Sequence, residues 1–240
     1  MVKEILQFIE NAKRNNQKLL ALLLDPDKIS VEDIDKKISI INSKKIDLIF
    51  VGGSLLFTNV MDEFIIKLKE VTTKPILLFP GSAMQISKYA DGILFLQLIS
   101  GRNPEYLISN QIIAAPLLKQ TSLEVIPTSY ILVESGRETT ASYISNTKPI
   151  PSHKPEIAMA TALAGQYLGQ RLLYMDAGSG ALHPIPTEMI ELVSKNIDIP
   201  MIIGGGIRTK IQLDNAYNAG ATLVVIGTAF EEDASLLEKF

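Results

Sequence analysis

Short apolar runs rich in Leu, Ile and Val recur along the chain at Leu19–Leu24, Asp47–Val51, Pro75–Phe79, Gly92–Leu98, Glu124–Val133, Arg171–Asp176, Pro200–Ile203 and Leu223–Ile226. Most lack the polar alternation of a half-exposed strand, which is the pattern of parallel strands covered on both faces. Between them the apolar period becomes that of a helix. Val60–Val71 places Phe64, Ile65, Leu68 and Val71 on one face, Thr187–Lys195 does the same with Met189, Ile190 and Val193, and a helix from about Lys210 stops at Gly220. The order is β then α, repeated, which predicts an α/β fold. Eight uniform units in this length fit a closed (β/α)₈ TIM barrel better than a long open sheet. Ile5, Ile9 and Ala12 stand at helical spacing ahead of the first strand and predict an extra N-terminal helix that plugs or flanks the bottom of the barrel.

The chain has 240 residues, close to the roughly 250 of a typical barrel of this kind, so a single domain over residues 1–240 is expected. Hydrophobic residues make up 47% of it, enough to bury a large core. A formal charge of −3 lacks the dense basic field of a nucleic-acid-binding protein, and nucleic acid is not an expected partner. The absence of cysteine excludes disulfides, thiolate metal sites and cysteine nucleophiles. The longest apolar runs fall far short of the roughly 20 residues that span a bilayer, and the first residues carry acidic groups unlike a signal peptide. A cytoplasmic protein without a transmembrane segment is the expectation.

In such a barrel the chemistry sits at the C-terminal ends of the strands. Strand one ends in Asp25-Pro26-Asp27-Lys28, which reads either as an ordinary turn or as a rim where Asp25 offers Mg²⁺ a hard oxygen ligand. Strand two ends in Gly52-Gly53-Ser54, and the case for Ser54 rests on partnership with Asp25 across adjacent strands. Strand six ends in Tyr174-Met175-Asp176-Ala177-Gly178-Ser179-Gly180, strand seven in Gly204-Gly205-Gly206-Ile207-Arg208, and strand eight in Gly227-Thr228-Ala229. Glycine-rich turns at three successive strand ends expose backbone N–H groups and suit a phosphate. Asp176 is a candidate general base, or else a turn residue capping the next helix. His153 and His183 have no ligand-spaced partner and read as loop residues. The segment Lys148-Pro149-Ile150-Pro151 reads as a mobile loop or a rigid connector.

Together these motifs resemble the geranylgeranylglyceryl phosphate synthases and their bacterial heptaprenylglyceryl phosphate relatives. The resemblance spans nearly the whole chain and is carried by Leu24-Asp25-Pro26-Asp27-Lys28, Val51-Gly52-Gly53-Ser54, Phe79-Pro80-Gly81-Ser82, Ile126-Pro127-Thr128-Ser129-Tyr130, Asn146-Thr147-Lys148-Pro149-Ile150-Pro151, Tyr174 to Ala181 and Gly204 to Arg208, in matching order. It implies transfer of a long prenyl group from its diphosphate to sn-glycerol 1-phosphate, giving an ether-lipid precursor and pyrophosphate. It also implies that Asp25 and Ser54 hold Mg²⁺, that Tyr174 to Gly180 with Gly205, Gly206, Gly227 and Thr228 hold glycerol phosphate, and that Tyr130 faces the substrates. Two departures stand out. Many family members carry glutamate at the position of Asp176, and the heptaprenyl-type members place lysine where this chain has Leu23, which favours the geranylgeranyl-type reading. Apolar residues near Leu96, Leu98 and Ile99 are expected either to line a groove for the prenyl tail or to belong to the core. A homo-oligomer, and transient contact with a membrane surface for the lipid product, complete the expected partners.

Two rival readings use the same glycine turns. A sugar-phosphate isomerase or lyase would bind a water-soluble substrate and have no use for an apolar groove. A non-catalytic barrel that binds a phosphorylated ligand would have no use for Asp25, Ser54 and Asp176 together.

Overall fold

The computed structural model describes residues 4–227. A helix α1 (Ile5–Arg14) precedes strand β1 (Leu19–Leu24), two short helices α2 (Asp33–Lys36) and α3 (Ile38–Ile41) lead to β2 (Leu48–Val51), and α4 (Met61–Val71) leads to β3 (Ile76–Leu78). After β4 (Gly92–Leu98) a π-helical turn, Glu105–Ser109, runs into α5 (Asn110–Leu118), followed by β5 (Glu124–Leu132), α6 (Thr140–Ser145) and α7 (Pro155–Tyr167). The chain continues through β6 (Leu172–Asp176), α8 (Thr187–Ser194), β7 (Met201–Gly204), α9 (Lys210–Asn218) and β8 (Leu223–Ile226).

The eight strands form a closed parallel barrel in sequence order. Closure is made by β8 on β1, where Leu19 pairs with Leu223 and Leu22 with Ile226. The apolar runs are continuous because strand side chains alternate between two dry faces. Leu19, Ala21, Leu48, Phe50, Leu172 and Tyr174 fill the barrel interior, while Leu20, Leu22, Ile49, Val51, Leu173 and Met175 pack under the helices.

Helix α1 plugs the bottom of the barrel. Ile5, Ile9 and Ala12 are buried in the interior cluster, each of the two isoleucines contributing about 1.5–3 kcal/mol of apolar burial. No side chain of the helix's own N-cap accepts its first N–H groups. Glu124, at the start of β5, accepts them instead, from Ile5 N at 2.6 Å and Leu6 N at 2.9 Å. A carboxylate on a helix N-terminus adds a favourable charge–dipole contact. Glu124→Ala is therefore expected to cost about 1–2 kcal/mol, the usual value of a lost cap, and thermal unfolding should show it. Turnover should be unaffected, since the site lies at the opposite end.

The β-then-α order fails at one place. Between β3 and β4 the chain forms no helix, and two loops join back to back instead. Gly81 N donates to Gln85 Oε1 at 2.9 Å while Gln85 Nε2 donates to the Gly53 carbonyl at 3.0 Å. The side chain of Gln85 thus ties the β3 loop to the β2 loop and takes over part of the absent helix's role. The middle of β4 is left less covered, and Phe95, Leu96 and Gln97 are only half-buried there.

Candidate active site

The strand ends on the C-terminal side surround a cavity of about 490 Å³. Its floor is an aromatic cluster: Phe79 and Tyr174 stack at 4.8 Å, and Tyr130 meets both rings edge-on at 5.7 and 5.6 Å. Side chains of that size fill the barrel interior and keep water out of it from above.

Asp176 stands on this floor at the end of β6, 6% exposed. The β5–β6 register sets Tyr130 beside Tyr174 and Leu132 beside Asp176, which lets the Tyr130 hydroxyl reach across the strands and donate to Asp176 Oδ2 at 2.6 Å. Gly178 N donates to Oδ1 at 2.7 Å. Burial pushes the Asp176 carboxyl above its usual range, and these two hydrogen bonds pull it part of the way back. Burial and the neighbouring carboxylate push the Tyr130 hydroxyl well up, so it stays neutral and donates. The next helix, α8, begins at Thr187 with Pro186, ten residues beyond Asp176, at its N-cap, and Asp176 does not cap it.

Gly178, Gly180, Gly205 and Gly206 all adopt positive φ. The loops after β6 and β7 pack against each other: a Cβ on Gly205 would lie 2.7 Å from Gly178 N and 2.9 Å from Asp176 Oδ1. Ser179, Gly227, Tyr174 and Asp176 line the cavity with them, whereas Met175 and Ala177 do not. Their side chains alternate outward into the layer under the helices, and the Ala177 N–H is taken by the Gly204 carbonyl at 3.0 Å, so the structure does not bring these two residues of the expected glycerol-phosphate set to the cavity. Thr228, also expected there, lies outside the described residues. Arg208 Nη1 donates to the Ala181 carbonyl at 3.2 Å and holds the β6 loop to the β7 loop.

On the other wall, Asp25 points at β2, where a Cβ on Gly53 would lie 3.2 Å from both of its oxygens. Asp27, its neighbour in the motif, is committed elsewhere. It accepts from Phe57 N at 2.6 Å, from Thr58 N at 3.2 Å and from the Thr58 hydroxyl, which staples the β1 loop to the β2 loop. Ser54 lines the cavity beside Asp25.

A second, apolar groove opens where the helix after β3 is missing. Phe79, Pro80, Ile86, Phe95, Leu96, Leu98 and Tyr106 line it, and it shares Gly53, Ser54 and Phe79 with the polar cavity. Leu96 and Leu98, expected in the groove or in the core, line the groove and also pack in the interior cluster. Ile99 does not line the groove: its side chain lies against Gly165 of α7, packed on the outer core.

Sequence reasoning singled out Asp25, Ser54, Tyr130, Tyr174 and Asp176, and the barrel gathers them round one mouth. Three contributors it passed over are Gln85, Phe79 and Lys28. Lys28, three residues after Asp25 in the same turn, and Phe79, at the head of the Phe79-Pro80-Gly81-Ser82 motif, stood in motifs already singled out, whereas nothing marked Gln85. His183 is a loop residue whose ring packs beside Gly136. The proline-flanked segment is anchored rather than loose: Ile150 bridges to Val133 in parallel, and its N–H donates to the Leu132 carbonyl at 2.8 Å.

Fold and cavity define a class, a (β/α)₈-barrel enzyme with its site at the C-terminal strand ends. Within that class the chain belongs to the PcrB family, whose model it matches over residues 12–240. A curated geranylgeranylglyceryl phosphate synthase from Flavobacterium johnsoniae is 52% identical over 97% of this chain and 96% of its own length. Another from Thermococcus gammatolerans is 46% identical over 93% of this chain and 88% of its own. The crystal structure of (S)-3-O-geranylgeranylglyceryl phosphate synthase from Thermoplasma acidophilum, in complex with its substrate sn-glycerol-1-phosphate, superposes with a TM-score of 0.92 at 33% identity, covering 98% of this chain and 94% of that one.

Proposed function

We propose that this chain is a prenyltransferase that joins a geranylgeranyl group, supplied as its diphosphate, to the free primary hydroxyl of sn-glycerol 1-phosphate. One observation carries the reading: a polar cavity floored by a buried carboxylate and walled by glycine turns opens, at Gly53, Ser54 and Phe79, into an apolar groove. A site of that shape fits one small phosphorylated polyol and one amphiphile whose charged head meets it at the junction. The sugar-phosphate reading leaves the groove without a ligand, and the scaffold reading leaves the buried Asp176 without a task.

In this reading the loops Gly178–Gly180 and Gly205–Gly206, with Gly227, surround the phosphate of the polyol and take it on backbone N–H groups other than that of Gly178, which Asp176 holds. Held by its phosphate, the polyol presents its hydroxyl over Asp176, an oriented encounter in place of a diffusive one. Asp176 accepts the hydroxyl proton as the new C–O bond forms at the allylic carbon. The old C–O bond breaks there, and its electron pair leaves with pyrophosphate. A carboxyl raised by burial is a stronger base than one in water, which suits this step.

The residues fit a single Mg²⁺ at the β1–β2 rim. Among the described residues no group of three or more His, Asp or Glu side chains gathers anywhere, and Asp27 is consumed by Phe57 and Thr58. Asp25 is then the rim carboxylate left to turn to a cation, its own contacts being the Asp27 N–H at 3.1 Å and the Lys28 ammonium at 3.5 Å, with Ser54 beside it. That donor set suits Mg²⁺, which takes one or two carboxylates and completes its shell with substrate phosphate and water. When bound, the cation neutralises the departing diphosphate.

The pH profile follows from Tyr130. Its hydroxyl stabilises the ionised form of Asp176, so Tyr130→Phe removes a lowering influence and the Asp176 pKa rises further. The acid limb of kcat should move to higher pH, with turnover recovering as pH rises. A limb that stays in place or moves to lower pH would show that the hydroxyl does not hold the catalytic carboxylate.

The reaction itself is tested by incubating the protein with labelled sn-glycerol 1-phosphate, Mg²⁺ and prenyl diphosphates of graded length, then extracting into organic solvent. Label should enter the solvent with the geranylgeranyl donor and require Mg²⁺; label that stays in water with every donor would defeat the reading. Among the described residues no helix is long and apolar enough to cross a membrane. We place the work in the cytoplasm, in one barrel domain over residues 1–240. Phe57 and Met84, each 85% exposed on the β2 and β3 loops, support brief contact with a membrane surface. Ile108, Ile112, Ile113 and Leu117, exposed along the π-helical turn and α5, support a homo-oligomer.

A further inference from the structure

The reading above brings two polyanions into one cavity, a diphosphate at the β1–β2 rim and a phosphate at the β6–β7 loops. Their mutual repulsion opposes the encounter unless fixed positive charge lies between them. Among the described side chains lining the cavity, two are cationic, Lys28 and Arg208. Arg208 is engaged by the Ala181 carbonyl. Lys28 is placed differently. Its ammonium lies 3.5 Å from Asp25 Oδ2 and 3.4 Å from Ser179 Oγ, touching both walls of the cavity at once although the two walls are 151 residues apart in the chain.

The side chain of Lys28 is 44% exposed, and an exposed ion pair of that length adds little to stability. A compact charge on a flexible stem is, however, what can follow an anion as it enters. We propose that Lys28 is a substrate-contacting cation shared by the two subsites. Its ammonium binds the phosphate of the polyol beside Ser179, leaves the Asp25 carboxylate open to the divalent cation, and screens one anion from the other. The proposal rests on the prenyltransferase reading but assigns a residue to which that reading gives no role.

Isothermal titration tests it with sn-glycerol 1-phosphate and, separately, with Mg²⁺, on the wild-type chain, Lys28→Met and Lys28→Arg. Binding of sn-glycerol 1-phosphate by the wild type checks the underlying reading, and its failure there would sink that reading before Lys28 is in question. With the wild type binding, Lys28→Met should weaken sn-glycerol 1-phosphate by about tenfold to a hundredfold, the range of one lost charge-assisted hydrogen bond. Mg²⁺ should bind the same variant as well as or better than the wild type, because a competing ammonium has been removed from Asp25. Lys28→Arg, which keeps the charge, should recover most of the phosphate affinity. If Lys28 only braced the loop, Lys28→Met would lose both ligands together with thermal stability, and that result overturns the proposal. So does an affinity for sn-glycerol 1-phosphate within twofold of the wild type.

Discussion

Gly205→Ala should lower kcat/KM by roughly a hundredfold, the scale expected when catalytic groups are displaced by about 1 Å. The cause is local. At φ +77 the backbone of Gly205 is in the left-handed region, which costs an alanine about 1–2 kcal/mol. The added Cβ would also lie 2.7 Å from Gly178 N, 2.8 Å from Gly178 O and 2.9 Å from Asp176 Oδ1. The last of these contacts matters most, because the carboxylate proposed to take the proton and the turn proposed to hold the phosphate are displaced by the same methyl group. Gly169 supplies the control. It has φ +91 but no heavy atom within 4 Å of the position of its Cβ, and it sits past the end of α7, away from the cavity. Gly169→Ala should therefore carry the conformational cost in thermal stability and leave steady-state rates unchanged. If both variants lose stability alike and neither loses rate, packing of the β7 turn against Asp176 is not what organises the site.

The parts of this architecture legible in the sequence are those encoded by local pattern. Strand β1 reads directly because Leu19 to Leu24 are apolar on both faces, and α1 reads because Ile5, Ile9 and Ala12 share one face. The missing helix was not anticipated, although residues 80–91 contain Pro80, Gly81 and Ser82 and hold no sustained helical apolar period; the expectation of uniform repeats overrode the local signal. The groove was hidden too, since Leu96 and Leu98 look the same in sequence whether barrel core covers them or a ligand does. Long-range pairings are less legible still. Tyr130 and Asp176 are 46 residues apart, and only the β5–β6 register brings the hydroxyl to the carboxylate. The cap of α1 by Glu124 spans 119 residues, and no local pattern marks Glu124 as a cap. Sequence places Asp25 directly at the strand end and so prefers it to Asp27, but only the positions of Phe57 N and Thr58 show that Asp27 is spent as a loop staple.

Asp176→Asn should lower kcat by about 10²–10⁴-fold, the span for loss of a positioned general base, while the fold holds or gains stability at neutral pH. The two effects have one origin. Burial raises the Asp176 pKa above its unfolded value, so the folded protein binds that proton more tightly. Its stability is then greatest below the unfolded pKa, declines as pH rises toward the folded one, and carries the full penalty of a buried charge above both. Asparagine carries no such charge. Its oxygen can keep the Gly178 N–H, and its amide can donate to the Tyr130 oxygen in place of accepting from it, so neither partner need be left unsatisfied. Unfolding midpoints measured from pH 4 to 8 should show the variant level with the wild type at the acid end and equal or higher at the neutral end. Single-turnover rates at saturating substrates separate chemistry from binding, because in the proposed reading the glycine turns hold the phosphate without help from the carboxylate. Asp176→Glu, which restores the carboxylate one methylene further along, should keep most of the rate. A rate for Asp176→Asn within about threefold of wild type, far short of any general-base loss, would leave Asp176 as a brace for the β6 turn and pass proton removal to the departing pyrophosphate.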